Sequence, residues 1–462
     1  MKKKTTLKYV RFISLLSNAM AKNTGLWGVS HKSWSIFKGA FAGWFLDSFD
    51  LSMMFLLVPT IAVIFFPAGD LTFALIGAFS IYFISLLFRP LGGVIFGWVG
   101  DKYGRKTSMI ITLMGLGIVI VSTGLLPTYA SIGIMAPVVL ILFRMITGVF
   151  AGGEYGNSSS ITMESVPSKI RGRIGSLLQG GYPVGYTTAA IVFLILRFGY
   201  GASSFVSFGW RVMFFVGVIP VVAGLIIRLR MPESFLWSDL NKKKKLERHP
   251  IRKVFSGKYL KAFATGMLAM TGIAWLYSLT LGFFPTILPI FTSIAFPATI
   301  YIVIAAILSS LVGYFAAGSI SDYIGRRKAL GLFGIMGIIL AFPTMYGIFY
   351  GVYGPLFVGF LASLIAFVTT GAYGVMPAFL AEKFPTRMRD TGVGASFNSG
   401  FIVGSWSAVI ALAIAGSANA FLSKVPNTRV LWYVTAALIV VGEIAILFSA
   451  FYSKETSQKE LD

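Results

Sequence analysis

The chain contains no cysteine, which removes disulfides, thiolate nucleophiles and cysteine-held metal sites from consideration. Its two histidines, His31 and His249, both fall outside the apolar segments, so no histidine relay is available for protons. Charge is scarce, at 12% of residues, and acids number 16 against 39 Lys and Arg. Gly100-Asp-Lys-Tyr-Gly-Arg-Lys-Thr107 has a passing likeness to a phosphate-binding loop. Its spacing is one residue short, however, and it joins two apolar runs instead of a strand and a helix. With no metal cluster, nucleophile triad or cofactor motif in the chain, an enzyme is not expected and no cofactor is implied. Any uphill work must draw on an ion gradient, with protons as the expected energy source.

What is present is apolar. Hydrophobic residues make up 56% of the chain and the mean hydropathy is +0.82, outside the range of soluble domains. Crossing a bilayer takes roughly 20 apolar residues as a helix, because a spanning segment must satisfy its own backbone hydrogen bonds. Twelve such segments are expected, near 36–66, 73–98, 108–126, 137–162, 174–197, 210–230, 261–288, 298–319, 329–350, 355–380, 392–415 and 428–451. The fold class is therefore an all-α integral membrane protein of twelve helices. With both ends placed inside, 33 of the 39 Lys and Arg fall on inward segments, the positive-inside asymmetry. That location accounts for the formal charge of +23 without nucleic acid. It predicts a multi-pass plasma-membrane protein with cytoplasmic termini. The opening Met-Lys-Lys-Lys and Phe12–Leu16 are too short to make a signal peptide.

Internal repetition organises the chain. Gly97-Trp-Val-Gly-Asp101-Lys-Tyr-Gly104-Arg105-Lys106 returns 221 residues later as Gly318-Ser-Ile-Ser-Asp322-Tyr-Ile-Gly325-Arg326-Arg327. Glu164-Ser-Val-Pro167-Ser-Lys-Ile-Arg171 returns as Glu382-Lys-Phe-Pro385-Thr-Arg-Met-Arg389. Two homologous bundles are expected, moving against each other about a central site. The boundaries read as a cytoplasmic extension 1–35, a first bundle 36–230, a linker loop 231–258, a second bundle 259–451 and a tail 452–462. A monomer of this design contains a complete transport path.

On these motifs the chain resembles the major facilitator superfamily over residues 36–451. Gly43-Trp-Phe-Leu-Asp47-Ser-Phe-Asp50, Arg89-Pro-Leu-Gly-Gly93, Gly152-Gly-Glu154-Tyr-Gly156 and Leu178-Gln179-Gly-Gly-Tyr182-Pro183-Val-Gly185 are similar to the sialate and lactate (monocarboxylate) proton symporters. The neighbouring metabolite–proton symporters share some of these features. The resemblance implies two six-helix bundles around a midplane cavity lined mainly by spans 1, 4, 7 and 10. It also implies that the loop charges Asp101, Arg105, Glu164 and Arg171, with Asp322, Arg326, Glu382 and Arg389, form cytoplasmic networks that stabilise the outward-facing state. The fifth span lacks the full Gly-Pro-x-x-Gly-Gly of drug–proton antiporters, which favours symport.

An ionisable side chain inside a span is costly and marks function by default. The first bundle holds Asp47, Asp50, Arg89, Arg144 and Glu154, and the second holds Glu443, expected at the periphery. Asp47 and Asp50, three apart on one helix face, form a candidate proton site with Glu154. By resemblance Asp50 couples to Arg144. Arg89 and Glu154 come to similar depth and are candidates to pair. Candidate substrate contacts are Arg144, Arg89, Asn157, Gln179, Tyr182, Trp275 and Tyr373, with Tyr277 a further aromatic. Gly148, Gly152 and Gly156 recur every fourth position, as close helix contact requires. The expected activity is proton-coupled import of a small organic anion, first a monocarboxylate such as lactate or pyruvate. The alternatives are a sialate, sugar, dicarboxylate or osmolyte symporter, an exporter, or a non-transporting sensor.

Overall fold

The computed structural model describes residues 26–67, 71–292, 294–351, 353–421 and 427–461. Residues 1–25 of the expected N-terminal extension lie outside the described residues. Twelve spans follow: α1 His31–Phe65, α2 Leu71–Tyr103, α3 Arg105–Gly124, α4 Met135–Ser165, α5 Arg171–Gln179 continued by Gly181–Ser204, and α6 Trp210–Val216 continued by Val218–Arg230. After the linker come α7 Gly257–Leu279, α8 Phe296–Ile324, α9 Arg326–Phe349, α10 Gly354–Gly371 continued by Met376–Ala381, α11 Arg389–Ser399 continued by Ser407–Phe421, and α12 Asn427–Tyr452.

The apolar run Ser168–Arg230 is 63 residues long, which as one helix would reach roughly 95 Å, three times the hydrocarbon thickness. It folds back instead. Gly201 takes φ +74°, a conformation open to glycine, and a π-turn over Phe205–Gly209 completes the reversal. Arg211 then donates to the carbonyls of Gly124 and Leu126 at the end of α3, while Arg228 donates to Gly39 near the start of α1. α5 and α6 are thus antiparallel, and both ends of each bundle's chain return to one face. That face carries the Lys/Arg-rich loops and is called the basic face below. The linker is partly ordered on it as two short helices, Phe235–Lys242 and Pro250–Val254.

The repeated loop motif has a backbone cause. Gly104 and Gly325 take φ +107° and +99° between α2 and α3 and between α8 and α9, values that a side chain would strain. The glycines spaced by four are contact points. A Cβ on Gly148 or Gly152 would strike the backbone of Ser85 or Arg89 on α2, and the second half repeats this with Gly313 and Gly374 between α8 and α10. Between the halves, α2 packs on α11 and α5 on α8. Gly93 meets Gly394, and Gly172 meets Gly318, at backbone distance.

Candidate substrate cavity and its buried charges

Between the halves, on the side away from the basic face, lies a cavity of about 410 Å³. Leu51 and Phe55 of α1, Tyr82, Phe83 and Leu86 of α2, Tyr182 of α5, Tyr277 of α7, Tyr373, and Phe401, Ser405 and Trp406 from the α11 region line it. Aromatic contacts cross between the halves around it. Phe83 stacks on Trp406 at 5.2 Å and Tyr182 meets Tyr277 edge-on at 5.6 Å. Toward the basic face, Trp44, Tyr155 and Phe397 close the space by mutual ring contact.

One helical turn deeper than Leu51 and Leu86 sit Asp47 and Arg89. Both are buried, and they form a bidentate pair with N–H···O distances of 2.9 and 2.6 Å. The Arg89 guanidinium lies 5.7 Å from the Phe401 ring of the other half, and its Nε has no partner. Asp47 and Asp50, adjacent on one face, therefore belong to different pairs. Asp50 accepts from Arg144 at 2.9 and 3.2 Å, and Arg144 also donates to Thr123 of α3. The expected Asp50–Arg144 pair is present, but it points into the first bundle and does not line the cavity.

The expected partnership of Arg89 with Glu154 does not form. Glu154 is bound by Arg228, through a short contact at one oxygen and a 3.0 Å bond at the other, and by Thr112 and Ser158 at 3.0 and 2.7 Å. Arg228, near the end of α6 and not singled out among the intramembrane charges, is buried within the bundle. Its long stem carries the charge inward from the end of α6. Gly43 makes the room, since a Cβ there would collide with both members. Asn157, Gln179 and Trp275 also fall outside the cavity lining, whereas Tyr182, Tyr277 and Tyr373 line it. Asn157 is at the basic-face interface, Gln179 lies one turn below Tyr182, and Trp275 donates to Leu438 of α12. Glu443 is not peripheral. It is buried between α12 and α9, against Gly337, with Oε1 unpartnered.

On the basic face the two halves hold each other by matched devices. Asp101 of α2 accepts from the N–H groups of Asp390 and Thr391, at 3.2 and 3.0 Å, at the start of α11. Asp322 of α8 accepts from Gly172 and Arg173, at 2.8 and 2.9 Å, at the start of α5. Each carboxylate thus satisfies helix-terminal donors of the opposite half. Arg105 joins Asp101 and Glu164, and Arg389 reaches across to Glu164 at 2.6 Å. Arg326 binds Asp322 and Glu382, with Arg171 of the other half 3.9 Å from Glu382. All eight residues expected in these networks are brought together, and the basic face is closed.

Two further members were not expected in these networks. Glu233, after α6, accepts from the N–H of Lys106 at the start of α3. Glu455, after α12, accepts from Arg326 and Arg327 at the start of α9. Their signal was available, because Glu-Ser and Glu-Thr stand 222 residues apart, nearly the offset of the loop motif. They titrate in opposite directions. Burial pushes the Glu233 carboxyl up, against the N–H groups of Ser234 and Lys106. Burial also works on Glu455, but four backbone N–H groups hold it below the usual range.

The description "Sugar (and other) transporter" belongs to the family whose model matches residues 69–255 and 238–462. The inner membrane metabolite transport protein YhjE of Escherichia coli is 32% identical over 349 residues, which cover 74% of this chain and 78% of that one. The proline/betaine transporter of Escherichia coli is 28% identical over 426 residues, covering 90% and 82%. Among solved structures, the proton:xylose symporter XylE of the major facilitator superfamily, bound to a bromodeoxyglucose, superposes with a TM-score of 0.73 at 19% identity, over 93% of this chain and 97% of that one. With the fold, the matched gates and the family model in agreement, this multi-pass membrane chain belongs to the sugar (and other) transporter family of the major facilitator superfamily, a family of transporters and not of enzymes.

Proposed function

We propose that the chain is a proton-coupled importer of a small zwitterionic osmolyte of the betaine or proline type, working by alternating access with the basic face in the cytoplasm. The observation that carries this is the cavity lining: tyrosines, Phe83, Phe401 and Trp406 supply ring faces, and among the described residues no carboxylate or amide side chain joins them. Ring faces attract a quaternary or secondary ammonium group, at about 0.5–2 kcal/mol per contact. Among the described residues, Arg89, just beneath Phe401, is the cation placed to take the carboxylate end. Protonation of Asp47 would release Arg89 for that contact, coupling cargo to proton. One relative, the proline/betaine transporter, carries cargo of the same kind, which favours this reading.

The monocarboxylate reading loses its main support, because Arg144 is held by Asp50 and Thr123 away from the cavity. Among the described lining residues a sugar finds few partners for its many donors and acceptors: Ser80, Ser278, Thr286, Ser405, the phenol hydroxyls and the Trp406 N–H. The test is uptake into proteoliposomes with an imposed inward proton gradient, offered betaine, proline, lactate and xylose in turn. Betaine or proline accumulates with alkalinisation outside, and Asp47→Asn abolishes accumulation while exchange of preloaded cargo continues. Accumulation of lactate or xylose, without betaine or proline, overturns the reading.

A further inference from the structure

The networks on the basic face match in all eight of the charges named above, but differ just after the last arginine of each. Where the second network has Gly172, the first has Asp390. Gly172 leaves no room for a side chain, since a Cβ would meet Gly318, Ser321 and Arg326. Asp390 instead is fully buried, and its carboxyl oxygens make no hydrogen bond of full geometry, with the Ser160 hydroxyl standing beside them as a donor. Around it stand Asp101 of α2, which accepts its backbone N–H, Arg105 of α3, whose Nε is 3.9 Å away, and Asn157, Ser160 and Glu164 of α4, with Arg389 adjacent in α11. On the other packed elements, Arg252, Lys258 and Lys261 are exposed and Lys253 is turned to Glu247.

Two features of this cluster need the same remedy. Three carboxyls, Asp101, Glu164 and Asp390, face two guanidinium groups, Arg105 and Arg389, leaving one negative charge in excess inside a buried interface. Moreover, a Cβ on Gly100 would collide with both Asp390 Oδ2 and Asn157 Oδ1, so two acceptor oxygens lie side by side. The Asn157 amide cannot be turned to supply a donor. Its Nδ2 is committed to the carbonyl of Gly153 at 2.7 Å and to Ser108 at 2.9 Å, leaving Oδ1 without a partner. A single proton on Asp390 removes the excess charge and gives the pair its donor.

We propose that Asp390 is a proton-binding site of the closed basic face, and that its release of the proton to the cytoplasm opens that face. When α11 parts from α2 and α4, water reaches the carboxyl and ionises it, and the ionised form then resists burial. This makes gate opening sensitive to cytoplasmic pH. It rests on the alternating-access reading but not on the cargo, so the test is run without any cargo.

The natural lack of cysteine permits single reporters. Ser176, buried on α5 against Gly318, is replaced by Ser176→Cys in the full chain, and labelling by an impermeant thiol reagent is followed in inside-out vesicles from pH 6 to 8.5. Rates are normalised to Lys243→Cys on the exposed linker, which removes the reagent's own pH dependence. Labelling of Ser176→Cys rises with pH, by up to about tenfold per unit for one linked proton. In Asp390→Asn the rise is lost and labelling stays at the low-pH rate, because the amide donates permanently to Asn157. Melting of that variant checks its folding. Asn157→Ala, which deletes the acceptor, shifts the midpoint to lower pH. If Asp390→Asn keeps the native slope, or Asn157→Ala leaves the midpoint unmoved, the proposal is overturned; failed betaine uptake would leave it standing.

Discussion

The two halves repeat one architecture but treat buried charge differently. Among the described residues of the first bundle, each intramembrane acid has an arginine of its own: Asp47 with Arg89, Asp50 with Arg144, Glu154 with Arg228. In the second, the corresponding stretch of α10 carries buried Ala362 and Ala372, and Glu443 is buried with an oxygen unpartnered. At the basic face the halves instead correspond closely, with Asp101 answering Asp322 and Glu233 answering Glu455. Matched residues hold the halves together, while unmatched ones set the halves apart, inside the spans and, through Asp390, at the basic face. Charge asymmetry between repeats therefore marks the candidates for a duty that one half alone carries.

The largest expected effect breaks a pair in the first bundle. Arg228→Met leaves the Glu154 carboxylate buried without its cation, a change that costs about 3–5 kcal/mol in buried pairs. Adding Glu154→Leu to make the double variant restores most of that loss. Glu443→Leu, by contrast, removes an acid with no cation to strand, so its midpoint of thermal unfolding in detergent stays within a few degrees of the parent or rises. Equal losses for Arg228→Met and Glu443→Leu would erase the distinction between the halves.

A smaller effect sharpens the correspondence at the gate. Asp101→Asn and Asp322→Asn each remove a carboxylate that accepts two N–H groups of the opposite half, hydrogen bonds of about 1.5–3 kcal/mol when the acceptor is charged. Both variants open the basic face by tenfold or more, read by Ser176→Cys labelling, and leave cargo affinity measured from the far side little changed. A loss of affinity, or a response in only one of the two, contradicts a shared gating duty.

Much of this was legible in the chain. Twelve spans and the repeated motifs that carry the eight loop charges follow from hydropathy and self-similarity, because lipid forces helices and a repeated tight loop requires repeated glycine; that the charges form networks was what the family resemblance implied. Pairing inside the bundle was not legible. Depth along a helix placed Arg89 beside Glu154, but rotation about the axis decides which face a side chain takes. Arg228 enters from the end of a neighbouring span, a route that counting loop charges conceals. Asp390 was hidden for another reason: it sits one residue beyond the repeated motif, where the first copy has glycine, and only the closed interface brings Asn157 against it.

The smallest effect concerns a position where the repeat diverges just after its matched glutamates. Ser165 follows Glu164, but Lys383 follows Glu382, and Lys383 donates to Thr265 and Ser453, both at 2.8 Å. Burial first, then the nearby Arg327 and Lys261, pull its pKa from 10.5 to about 7. The folded chain thus releases this proton near neutrality, while the unfolded chain keeps it until about 10.5. Between those values the unfolded state binds more protons, so this group makes stability climb as pH rises from 7 to 10.5, and has no such slope below 7. Lys383→Met removes the climb. The difference in unfolding midpoint between parent and variant therefore changes in the parent's favour from pH 7 to pH 9.5, whereas Ser165→Ala in the first half shows no such trend. A difference that stays constant over that range would mean the lysine keeps its proton in the folded chain, held by the Phe379 ring 4.1 Å away in place of a counter-charge.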